Sequence, residues 1–279
     1  MTDLITKTAE EIYGIKADPS DVERLHAYII KRYGGDTQEK IKKVFMSGEA
    51  AGFLTVNETY FFREPVHFAF LLNMLPSFEG TGIRICSAAT ATGCEAYSIA
   101  MLIEAYNRGN AKPVSYQIDA FDIDREAIKS AIEGVYGERS MREDGSSFRY
   151  MALPYVKKLD NGYQVDVSLR KNINFFVHNL MDDLSSNCYH LIFFRNAFIY
   201  FSQRARSRIL ENLSCALTEG GILLMGVSET AGASHESLRE KNESVYSPGL
   251  RGSDGSSLDL FYFQKAPKVP IPHSPFPIP

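Results

Sequence analysis

Five stretches of this 279-residue chain carry polar side chains at spacings suited to holding a compact polar ligand. They are Asn57, Thr59 and Arg63; Ser87 to Glu95; Asp122; Asn179; and Asn196. An acid closing a strand can accept two hydrogen bonds from ribose hydroxyls. Amides suit a base, and polar or charged groups suit an amino-acid tail. The set therefore fits a nucleoside bearing an amino-acid tail. Asp124 follows Asp122 by two residues, just ahead of a helical stretch, and reads as that helix's N-cap. Arg63 follows the aromatics Tyr60-Phe61-Phe62 and offers a permanently charged fork for a carboxylate. The 87–95 turn has only Gly93, so it is neither the dinucleotide fingerprint nor a phosphate loop. No cluster with metal-ligand spacing and no Ser/His/Asp set competes.

These residues need a scaffold that gathers strand ends. A strand to Ser87, a turn at Gly93 and a helix opening at Glu95 make one βα unit. A strand over 116–124 ending in Asp122 and Asp124 precedes a helix over about 125–134. A strand over 174–180 delivers Asn179, and a buried strand over 189–194 delivers Arg195 and Asn196. A helix over 202–217, stopped by Glu219-Gly220-Gly221, leads to strands at 222–227 and 258–264. In an open α/β sheet such ends line one crevice. Asp160-Asn161-Gly162 predicts a hairpin, so a small antiparallel element interrupts the alternation.

Ahead of this lies a helical region over 1–48, with helices at about 21–33 and 37–46. Lys40, Lys42 and Lys43 on the last are either a solvated face or a dock for an acidic partner. Residues 53–65 read as a linker, and Pro65 starts a helix to about Leu75. Residues 230–257, rich in Ser, Gly, Glu and Arg, read as a mobile excursion. The proline-rich stretch from Pro267 to Pro279 favours polyproline II.

The charged fraction of 23% and net charge of −4 give no general attraction to nucleic acid. Four widely spaced cysteines argue against a disulfide framework. Neither a leader nor an apolar run of membrane-spanning length stands out, which implies a cytoplasmic protein.

Asn57-Glu-Thr-Tyr-Phe-Phe-Arg-Glu-Pro65, Ser87-Ala-Ala-Thr-Ala-Thr-Gly-Cys-Glu-Ala-Tyr-Ser-Ile-Ala-Met101, Phe121-Asp-Ile-Asp124 and Phe194-Arg-Asn-Ala-Phe-Ile-Tyr-Phe201 resemble the motifs of the CheR family. Glu219-Gly-Gly-Ile-Leu-Leu-Met-Gly-Val-Ser-Glu229 resembles its late strand. That family comprises S-adenosylmethionine-dependent methyltransferases that esterify glutamates of bacterial chemoreceptors. The resemblance implies a Rossmann-like class I methyltransferase α/β sheet over 51–265, with a helical N-terminal domain over 1–50, a compact antiparallel β insertion at about 150–172 and a tail over 266–279. It implies S-adenosyl-L-methionine as cofactor, S-adenosyl-L-homocysteine as product, and contacts from Asn57, Thr59, Arg63, Glu95, Asp122, Asn179, Leu180, Asn196 and Ala197. Arg63 and Tyr200 would lie nearest the transferred methyl. The implied partner is a chemoreceptor cytoplasmic domain facing the N-terminal helices, with the enzyme a monomer. Another protein acceptor, or a docking module without turnover, are the alternatives. One departure is local: where the family has two glutamates and a proline after the turn glycine, this chain has Cys94, Glu95 and Ala96.

Overall fold

The computed structural model describes residues 1–142, 148–226, 229–230, 233–245 and 258–266. Four helices come first: α1 (Thr2–Tyr13), α2 (Pro19–Tyr33), α3 (Gln38–Met46) and the short α4 (Ala51–Leu54). Asp18 caps α2 by accepting from the Ser20 N–H, with Pro19 in its first turn. Gly14 ends α1 at φ 72°, and a Cβ there would stand 2.5 Å from that of Ala205. Only glycine lets the α1–α2 connector lie this close.

The α/β part follows as α5 (Pro65–Met74), β1 (Gly82–Ala88), α6 (Cys94–Arg108), β2 (Ser115–Asp122) and α7 (Arg125–Glu133). Then come β3 (Val135–Gly137), α8 (Arg149–Ala152), β4 (Val156–Leu159), β5 (Gly162–Val165), β6 (Ile173–Val177) and β7 (Tyr189–Phe194). The chain closes with α9 (Gln203–Ala216), β8 (Leu217–Met225), β9 (Leu238–Val245) and β10 (Leu258–Lys265).

The main sheet has the order β6-β2-β1-β7-β8-β10-β9. Its first five strands are mutually parallel, and β10 runs antiparallel to both neighbours. The chain builds outward from β1 through β2 to β6, then returns to β1's other side with β7. The β1/β7 boundary is thus a topological switch point, and a crevice opens at the carboxyl ends there.

The central parallel strands β1, β2 and β7 are buried on both faces over most of their length, as strands covered by helical layers are. Along β7, Leu191 and Phe193 join the core beneath α5 and α6. Ile192 and Phe194 point the other way, into a core shared with Ile5, Leu25, Ile29 and Phe45 of the N-terminal helices and Leu213 of α9. The apolar stripes of α1, α2 and α3 therefore bury against the sheet's own helical layer.

Three expectations change. Residues 238–245, inside the stretch read as a mobile excursion, form edge strand β9, paired with β10 from Leu238↔Lys265 to Val245↔Leu258. The alternating charges of Arg239, Glu240, Lys241 and Glu243 hid it, and such charges suit a sheet edge exposed to water. Glu219-Gly220-Gly221 lies inside β8 rather than ending a helix; α9 stops at Ala216. The hairpin is present as β4 and β5, and β3 adds a third strand that begins at Val135, ahead of the expected insertion. The rest of the 230–257 stretch, from 246 on, and the proline-rich stretch lie outside the described residues. Among those described, no helix is long and apolar enough to cross a membrane.

Candidate functional site

The crevice at the carboxyl ends of β1, β2 and β7 encloses about 900 Å³, its open mouth included. All ten expected residues line it: Asn57, Thr59, Arg63, Glu95, Asp122, Asn179, Leu180, Asn196, Ala197 and Tyr200. Tyr13 at the end of α1 and Ile15 of the α1–α2 connector complete one wall. The connector is pinned there: the Lys16 N–H donates to the Tyr200 carbonyl, and the Ser202 N–H to the Gly14 carbonyl.

The first wall is the β1–α6 turn. Thr90 N–H donates to the Phe121 carbonyl, and Ala91 N–H to the Asp122 carboxylate at 2.8 Å. Gly93 caps α6 at φ 84°, where a Cβ would stand 2.8 Å from the Ala131 Cβ and 3.0 Å from the Phe175 ring. This position needs glycine. Cys94 is fully buried behind it, and burial pushes its thiol up to about 12. It is a packed side chain, not a nucleophile.

Asp122 sits at the end of β2, buried, with one oxygen on the Ala91 N–H and the other on the Asp124 N–H. Each oxygen keeps acceptor capacity for a hydroxyl. Burial raises its pKa to about 6. Asp124 caps α7 through the Glu126 and Ala127 N–H groups and accepts from the Asn57 amide at 2.6 Å. The Asn179 amide donates to the Ile12 carbonyl at 2.7 Å and accepts from the Met181 N–H, so it ties α1 to the crevice.

The floor is an ion network that the sequence did not single out. Arg195, read only as a strand end, donates from Nε to Glu95 at 2.8 Å and from Nη1 to the Arg63 carbonyl at 2.7 Å. Glu95 also accepts from the Ser87 hydroxyl at 2.7 Å. His67, fully buried, has Nε2 at 2.8 Å from the Met225 carbonyl, so that nitrogen carries the proton. Its Nδ1 then accepts from Arg195 Nη1 at 3.1 Å. Burial and the Arg195 charge push the His67 pKa down to about 3, which keeps the ring neutral.

A second unforeseen residue, Glu229, holds the loop after β7. Its buried carboxylate accepts from the N–H groups of Asn196 at 2.6 Å, Gly226 at 3.1 Å and Ile199 at 3.4 Å, and burial raises its pKa. Asn196 itself adopts φ 58°, and its amide donates to Glu64 at 2.8 Å. Among the described non-glycine residues, six have positive φ, and five of them (Phe62, Glu64, Ala89, Ala91, Asn196) lie in or beside the crevice walls. Such strain, about 1–3 kcal/mol each, persists only where surrounding contacts over-determine it.

The model of the family "CheR methyltransferase, SAM binding domain" matches residues 57–246, most of the chain and every wall of the crevice except Tyr13, Ile15, Thr55 and Val56. The chain belongs to this family. Its mixed sheet lies between two helical layers. Relatives include "Chemotaxis protein methyltransferase" of Borreliella burgdorferi, 36% identical over 63% of this chain and 65% of the relative. The protein of the same description from Listeria monocytogenes is 30% identical over 74% of this chain and 79% of that one. "Probable biofilm formation methyltransferase WspC" of Pseudomonas aeruginosa is 33% identical over 64% of this chain and 43% of the relative. The match thus spans less than two thirds of the Borreliella protein and under half of WspC.

For a CheR-type site the donor set fits S-adenosylmethionine. A buried carboxylate with spare acceptor capacity stands where a ribose would lie. Ile15, Ile123, Leu180 and Phe201 give apolar walls for a flat base, and Glu95 offers a carboxylate to an ammonium. Among the described residues no cluster of His, Cys, Asp and Glu forms a metal site.

Proposed function

We propose that the chain transfers the methyl group of S-adenosyl-L-methionine to glutamate carboxylates of a bacterial chemoreceptor, giving methyl esters and S-adenosyl-L-homocysteine. The observation that carries this reading is Arg63. It lines a crevice that gathers every other expected cofactor residue, and among its donors only Nη1 has a described partner, the Glu58 carbonyl at 2.9 Å. Its remaining N–H groups suit a bidentate carboxylate. The other cationic group in the lining, Arg195, is committed to Glu95, His67 and the Arg63 carbonyl.

When bound, the cofactor supplies a methyl on a positive sulfonium, whose S–C bond breaks as the acceptor's O–C bond forms. A glutamate, with an ordinary pKa of about 4.3, is already ionised at neutral pH, so the chain need supply no base. His67 and Cys94 are buried behind the walls and are not among the residues lining the crevice. Asp122 would accept from the ribose hydroxyls and Glu95 from the tail ammonium. Asn57, Thr59, Asn179, Leu180, Asn196 and Ala197 would fix the cofactor's outline. Arg63 orients the acceptor carboxylate, and the Tyr200 hydroxyl, without a partner among the described residues, hydrogen-bonds beside the reacting centre. Positioning two oppositely charged reactants out of water is worth up to about 7–11 kcal/mol.

The N-terminal helices, with Lys40, Lys42 and Lys43 on α3, would form a cytoplasmic docking domain for the receptor's acidic helices, the enzyme acting as a monomer. The similarity to WspC supports a second reading, in which the receptor serves a pathway other than chemotaxis. Incubation with methyl-labelled cofactor and purified receptor signalling domains tests both. Base-labile label released as methanol is expected. Base-stable label, or cofactor binding without transfer to any receptor, would refute the proposal.

A further inference from the structure

At the rim, three side chains form one unit. The Tyr60 ring has the Arg142 guanidinium 4.2 Å and the Arg63 guanidinium 5.7 Å from its centroid. Glu58, which lines the crevice beside them, accepts from Arg142 Nη2 through its carboxylate. That bond and then the Arg142 charge hold the Glu58 carboxyl below the usual glutamate range, and the Arg63 charge acts the same way. The pair is open to water, at 38% exposure for the Arg142 side chain and 62% for that of Glu58. An ion pair this exposed is weak and exchanges readily.

A glutamate carboxylate held in the field of two guanidiniums at the mouth of the crevice has the chemistry of the acceptor itself. Aromatic support fixes both forks without consuming their in-plane N–H donors. We infer that Arg142, Tyr60 and Arg63 form the cradle through which an acceptor glutamate enters, and that Glu58 occupies it until the acceptor displaces it. The inference rests on the methyl-transfer reading and adds an acceptor-specificity device. Exchange of one carboxylate for another leaves the charge of the cradle unchanged. An amide offers no such exchange, so the rim discriminates glutamate from glutamine before any chemistry occurs.

The test measures Kd and KM for a purified chemoreceptor signalling domain with wild type, Glu58→Gln, Arg142→Gln and the double variant. Binding is read with S-adenosylhomocysteine present, and turnover with S-adenosylmethionine. Glu58→Gln is expected to lower Kd and KM about two- to fivefold, the range of an exposed pair. Arg142→Gln raises both by a similar factor, and in its background Glu58→Gln has less than half its effect. A signalling domain whose acceptor glutamates are replaced by glutamine shows none of these shifts. Equal shifts for the glutamate and glutamine domains, or a Glu58→Gln protein that binds like wild type, would overturn the cradle. A wild type that binds the domain but transfers no methyl refutes the methyl-transfer reading instead, and the binding series still decides the cradle.

Discussion

The floor and the rim of the crevice are built on opposite terms. On the floor, the Arg195 side chain is only 2% exposed, and its partners Glu95, His67 and the Arg63 carbonyl come from three different elements. On the rim, Arg142 and Glu58 pair in water. Removing one charged member of a buried network leaves its partner's charge uncompensated, whereas an exposed pair is nearly free to rearrange. The floor is therefore suited to holding a cofactor in one geometry, and the rim to admitting a large, variable acceptor.

The sharpest way to break this contrast is Arg195→Met. It strands the Glu95 carboxylate and the His67 ring, and should cost about 3–5 kcal/mol of stability in denaturant unfolding. A cost under about 1 kcal/mol would place the floor on the same footing as the rim. Glu229→Ala comes next. It leaves the N–H groups of Asn196 and Gly226 without their acceptor and should cost about 2–3 kcal/mol. Cofactor affinity, read by calorimetry, should fall with it, because the released loop carries Asn196, Ala197 and Tyr200.

A smaller effect concerns pH. Asp122 in the fold has its pKa raised by burial to about 6. A raised carboxyl binds its proton better when folded, so its contribution to stability is present below the ordinary carboxylate range and is lost as pH rises through about 6. Cofactor binding has the opposite dependence, since the ionised form is the better acceptor for ribose hydroxyls. Affinity should weaken about tenfold as pH falls from 7 to 5, and Asp122→Asn should abolish that slope. The smallest effect belongs to the rim: Glu58→Gln should change stability by less than about 0.5 kcal/mol.

The sequence was most informative where function depends on strand ends. Asp122, Asn179 and Asn196 could be placed together because strand–turn–helix alternation implies one crevice, and Asp124 has the N-cap role its position suggested. The roles of Arg195, His67 and Glu229 in the site are not legible in the sequence for a different reason. Each is defined by a partner far away in the chain, such as His67 to Arg195 across 128 positions and Glu229 to Asn196 across 33. Periodicity does not register such pairs. An arginine directly after the apolar run Leu191-Ile-Phe-Phe194 is the available signal, because burying that charge requires a partner. The α1–α2 connector was also unreadable as a crevice wall, since nothing in Tyr13-Gly14-Ile15 announces a contact with Ala205. Edge strand β9 is not legible in the sequence because a polar alternating strand resembles a loop in composition.

The division between floor and rim is tested most directly by Arg63→Ala, with turnover and melting measured on the same preparation. The side chain contributes one hydrogen bond to a backbone carbonyl and a contact with Tyr60, so the melting temperature should drop by no more than a few degrees. Methyl-ester formation on a receptor signalling domain should fall at least a hundredfold, the scale of a positioned charged group lost from a reacting centre. Turnover equal to wild type would contradict the assignment of Arg63 and, with it, the claim that the rim orients the acceptor.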